Sequence, residues 1–110
     1  MLQAEDAQEA EQLIAVICIG VCVALKYGTM SINEAENRIF SPYTISTLEH
    51  LGLSGRLIKL IHMGTELEDI ESLIPDRLNA AINEMKDEAG DLLRSLPSRP
   101  PPSSRWVKGT

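Results

Sequence analysis

A chain of 110 residues, 44% of them hydrophobic, has room for one domain around one buried core and little room for two. Its formal charge is −6. Three of its ten basic residues (Arg99, Arg105, Lys108) lie in residues 97–110, so residues 1–96 hold seven against all sixteen acids, a balance of −9. A body of that sign excludes nucleic-acid binding by charge neutralisation, and it predicts fast association with basic partners at low salt.

The first predicted element is a helix from Glu5 to about Tyr27, with acids in its early turns where the helix dipole favours them. From Leu13 to Leu25 it holds 13 residues without a charge. A stretch apolar all round predicts the buried centre of the domain. It falls short of the roughly 20 residues a spanning helix needs, and the acids before it do not resemble a signal peptide's basic start. Gly20 within it predicts a close helix crossing, and Gly28 its end. Cys18 and Cys22, four apart, fall on one buried face. A regular helix does not bring such a pair to disulfide geometry, so both are read as reduced core residues of a cytoplasmic protein.

Ser31-Ile32-Asn33-Glu34 has the form of a capping box and predicts a short helix to about Ile39. Ser41-Pro42 predicts a second start, with the helix running to about Leu51 and stopping at Gly52. Ser54 predicts the cap of a third short helix carrying Leu57, Ile58, Leu60 and Ile61, ending at Gly64. Thr65-Glu66-Leu67-Glu68 reads as another capping box, opening a helix with Leu67, Ile70, Leu73 and Ile74 on its apolar side. Pro75 interrupts it or begins the next element, and the last helix runs from about Asp76 to Leu96. Its apolar positions, Leu78, Ile82, Met85, Ala89, Leu92 and Leu96, are spaced 4, 3, 4, 3, 4 and form one stripe. Such a stripe packs on a neighbouring helix of its own domain, or alternatively forms a homodimer seam. Residues 97–110 carry four Pro and three Ser and read as a flexible, polyproline-like tail on a domain of residues 1–96.

The strongest polar constellation is Glu66, Glu68, Asp69 and Glu71, four acids in six residues at the start of one helix. Paired carboxylates can work as acid and base or hold a hard cation, but no His, Asn or Gly-rich loop accompanies them. They are read as a solvated helix face or as a partner-binding patch. A zinc site from Cys18, Cys22, His50 and His62 is not expected, because structural zinc cysteines sit on loops at short spacing. Both histidines fit helix C-termini, where their charge meets free carbonyls. No phosphate-binding loop, dinucleotide fingerprint or nucleophile elbow is present, and no cofactor or metal is expected.

Several segments together carry a family resemblance. They are Ala24-Leu25-Lys26-Tyr27-Gly28, Ser31-Ile32-Asn33-Glu34-Ala35-Glu36, Phe40-Ser41-Pro42-Tyr43, and the run from His62-Met63-Gly64 through Thr65-Glu66-Leu67-Glu68-Asp69-Ile70-Glu71 to Ser72-Leu73-Ile74-Pro75. On these the chain resembles a family of small bacterial proteins of unknown function, over about residues 13–95 and without the Pro-rich tail. The resemblance implies no catalytic or metal-binding residue. Small acidic bacterial proteins of this size recur as immunity proteins, including those of contact-dependent growth inhibition systems, an analogy of size, charge and domain type.

These observations predict an all-α protein: a compact bundle of about five or six helices around a buried hydrophobic first helix. The expected function is that of a cytoplasmic immunity protein. It would neutralise a cognate toxin of basic surface through Glu66, Glu68, Asp69 and Glu71, without catalysis, nucleic acid or membrane. The alternatives are a self-associating helical adaptor paired through Leu78–Leu96, and a small carboxylate enzyme using His62.

Overall fold

The computed structural model describes residues 4–96, and side chains from residue 6 onward. The Pro-rich segment 97–110 lies outside the described residues. The described chain is helical: α1 (Ala4–Tyr27), α2 (Ile32–Arg38), α3 (Pro42–Leu51), α4 (Gly55–Thr65), α5 (Leu67–Leu73) and α6 (Leu78–Ser95), with a 3-10 turn over Pro75–Arg77. The bundle rests on four helices of ten residues or more, α1, α3, α4 and α6, and not on five or six. α2 and α5 have seven residues each, too short to present a full packing stripe.

Serines start the middle of the chain. Ser31 forms the complete capping box with Glu34: its hydroxyl accepts from the Glu34 N–H at 3.1 Å, and the Glu34 carboxylate accepts from the Ser31 N–H at 3.0 Å. These bonds hold the Glu34 carboxyl below its ordinary pKa. Ser41 caps α3, with Pro42 in its first turn, and Ser54 caps α4. Gly52 ends α3 in the left-handed region, at φ 78°.

The dominant pairing joins the two ends of the described chain, α1 with α6. Ala15, Cys18 and Cys22 of α1 are fully buried, as are Ile82, Met85, Ala89 and Leu92 of α6 to within a few per cent. The α6 stripe is thereby consumed inside the protomer and is not available as a homodimer seam. α4 packs on α6 and α3 and contributes Leu57, Leu60 and Ile61 to the same core. Gly64 does not stop α4. It is buried, and a Cβ there would collide with the ring of Phe40. The glycine admits the ring, and the helix continues to Thr65.

The start of α6 also differs from expectation, because Pro75–Arg77 forms the 3-10 turn and the α-helix begins at Leu78. The larger correction concerns α1, which is not the buried centre of the domain. One face is buried, while Leu13 is 56% and Tyr27 76% exposed, with Val16, Ile17 and Val23 exposed between them. Gly20 lies on that outer face, and among the described residues no atom outside its own helical turns comes within 4 Å of a Cβ built there, so it serves no crossing among the described helices. The helix absorbs the polar residues before Leu13. Over Asp6–Tyr27 it is long and apolar enough to cross a membrane by length and composition, and of that stretch Glu11, Ala15, Cys18 and Cys22 are buried in the fold.

Candidate functional site

The acid-rich helix is built differently from its sequence reading. Glu66 closes α4 and opens α5 in a right-handed helical conformation, with no side-chain cap. A capping box needs an extended residue at the start, and the near-continuous helical path through Thr65 and Glu66 removes it. The Thr65 hydroxyl instead donates to the His62 carbonyl at 2.6 Å, and Glu68 is left facing solvent. Leu67, fully buried, pins the first turn of α5 to the core. Glu66, Glu68, Asp69 and Glu71 are all exposed. None of the four forms an ion pair among the described residues.

α2 packs against α5, and this contact adds a fifth acid. Glu36 hydrogen-bonds to the Glu68 side chain and lies within the field of Asp69. Its pKa is raised from 4.5 to about 7, first by burial, then by that hydrogen bond and the charges of Glu68 and Asp69. Glu36 was not legible as a site residue, since 32 positions separate it from Glu68 and only the packing of α2 on α5 joins them.

A shallow open groove between α4 and α6 is lined by Lys59, Met63, Glu84, Asp87 and Glu88. His62 is exposed on the last turn of α4 and does not line it, so the groove does not unite this histidine with paired carboxylates. Among the described residues no group of three His, Cys, Asp or Glu side chains is placed to hold a metal ion. Cys18 and Cys22 are free thiols buried on the inner face of α1. Burial pushes Cys18 up to about 12, reinforced by Cys22, and Cys22 up to about 11, partly offset by Lys86.

A protein-family model matches residues 5–108, nearly the whole chain. The chain belongs to the family described as "Protein of unknown function (DUF3969)". The DUF3969 match is wider than the resemblance read from the motifs. It begins before the apolar run and continues to Lys108, so the Pro-rich segment is part of the family pattern. No curated protein matches the chain, and no solved structure does.

Proposed function

We propose that this protein is a cytoplasmic immunity-type inhibitor. It would bind a toxin domain through the acidic face made by Glu66, Glu68, Asp69 and Glu71 together with Glu36, and act by occupancy and not by catalysis. The observation that carries this reading is the exposure of Glu66, Glu68, Asp69 and Glu71 together at the start of α5, without an ion pair among the described residues, with α2 packed alongside and bringing Glu36 to Glu68 and Asp69. Like charges gathered at one place are relieved by an arginine or lysine from outside, and a toxin that handles phosphate or carboxylate substrates presents such cations in its cleft. Acids at the rim of the contact speed association, and this contribution is screened by salt. An acid buried against an arginine instead sets the dissociation rate, and its truncation costs roughly 2–5 kcal/mol.

In a bacterial host the test pairs this chain with the product of the upstream neighbouring gene. The neighbour should arrest growth alone, and growth should return when this protein is co-expressed. Combined Glu66→Gln, Glu68→Gln, Asp69→Asn and Glu71→Gln substitutions should abolish the rescue while leaving the helical circular dichroism unchanged. Rescue that survives all four substitutions rules out the acidic face.

A further inference from the structure

We infer that the outer face of α1 is the surface through which two copies of this chain pair, with their α1 helices antiparallel. The inner face of α1 runs through Glu11, Ala15, Cys18 and Cys22, all buried. Leu13, Val16, Gly20, Val23 and Tyr27 lie on the opposite side, and all are exposed. Their spacing of 3, 4, 3 and 4 is that of a coiled-coil seam. The seam covers four turns, about 21 Å of helix, and Ile17 widens it on one flank. Singly exposed apolar residues are ordinary on a protein surface, whereas a continuous stripe marks a contact.

Gly20 sits in the middle of that stripe. A glycine inside a helix costs about 0.5–1 kcal/mol relative to alanine, and among the described residues nothing uses the space it leaves. A second helix laid on the seam would use it, because a missing side chain lets two backbones approach.

Charge selects the occupant and its direction. Asp6 and Glu9 stand at the start of α1, and Lys26 in its last turn. An antiparallel copy brings Lys26 of each protomer toward the acidic end of the other and sets the two helix dipoles head to tail. In the register where facing residue numbers add to 36, Leu13 meets Val23 and Val16 meets Gly20, large against small, twice by symmetry. A parallel pair stacks lysine on lysine and acid on acid, and it wastes the space at Gly20 on a second Gly20. A lipid surface is the poorer match. Helices that lie on membranes carry cations along their polar flank, while this body carries a balance of −9. Spanning a bilayer would pull Glu11 from its two bonds to Ser54 and strip the core from α6. The pairing uses α1 and leaves α5 free, so it stands or falls independently of toxin binding.

The test is the mass of the full chain by sedimentation equilibrium. A dimer of about 24 kDa, twice the 12.1 kDa chain, should form at micromolar concentration. Val16→Glu should return it to the monomer mass with its helical circular dichroism intact, because Val16 is half exposed in the protomer. Oxidising a mixture of Leu13→Cys and Val23→Cys chains should give a disulfide-linked dimer that neither gives alone, since Cys18 and Cys22 are buried. A monomer at hundreds of micromolar overturns the inference, as does a dimer that Val16→Glu leaves intact. Self-cross-linking of Leu13→Cys alone overturns the antiparallel arrangement. Flotation of the chain with uncharged phosphatidylcholine vesicles overturns the pairing in favour of a membrane contact.

Discussion

Ser54 gives both its backbone N–H and its hydroxyl to the carboxylate of Glu11, at 3.1 and 2.7 Å. The same hydroxyl oxygen accepts from the N–H of Leu57, so one serine caps α4 and ties it to α1. Glu11 is 8% exposed, the one buried charged side chain among the described residues. Removing it leaves the polar groups of Ser54 without their acceptor. Glu11→Ala is expected to cost about 2–3 kcal/mol. Glu11→Gln should cost about half as much, because an amide oxygen still accepts one of the two bonds. Urea denaturation of both variants measures the difference.

The contact of Phe40 with Gly64 predicts an asymmetric pair of substitutions. Gly64→Ala pushes a methyl group into the ring, and overpacking of this kind costs roughly 1–3 kcal/mol. Phe40→Leu alone leaves a cavity. In the double variant the smaller side chain makes room for the methyl group, so the loss should be less than the sum of the single losses. A double-mutant cycle on thermal unfolding reads this coupling directly.

Glu36 predicts a dependence of stability on pH. A carboxyl whose pKa is raised on folding binds its proton more tightly in the native state. Its stabilising contribution is fully present below the ordinary 4.5 and is lost as pH rises through about 7. The urea midpoint should therefore fall across that interval, and Glu36→Gln should flatten the slope. Added salt should flatten it as well, since part of the shift comes from the charges of Glu68 and Asp69.

Cys18 and Cys22 should be silent toward thiol reagents in the folded protein. The thiolate is the reactive form, and a pKa near 11 or 12 suppresses its population at pH 8 on the order of a hundredfold or more relative to an ordinary thiol. Ellman's reagent should report almost no release from the native chain and two equivalents in urea. Prompt labelling of the native protein would mean that the α1–α6 contact opens readily.

Most local signals in the sequence held, and those that depend on distant packing did not. Ser31, Ser41 and Ser54 announce helix starts because a cap is settled by four consecutive residues. The α6 stripe announces its inward face by its period. The α1 run did not show which of its faces is covered, since valine, isoleucine and leucine stand on both sides of it. Ala15, Cys18 and Cys22 are the apolar residues of α1 that are fully buried. Glu11 looked like a flanking charge and proved to be a tie, because Ser54 is 43 positions away. The failed box at Thr65–Glu68 has a similar cause. Phe40, far away in sequence, draws Gly64 into the core and keeps the helix running past the expected stop. Of the acidic face, Glu66, Glu68, Asp69 and Glu71 were readable as a run, and Glu36 was not.

Joining the first helix to the last has a consequence for how the chain comes into being. On the ribosome α1 is made before α2 to α6, and α6, which covers its inner side, is completed about seventy residues later. Until then both sides of α1 are bare, and a strongly apolar segment must wait in the company of α2 to α5. A chain that ends before α6 should aggregate or be degraded. The folded yield in the cell should therefore depend on chaperones that shield α1 during this interval, more than on the final stability of the bundle.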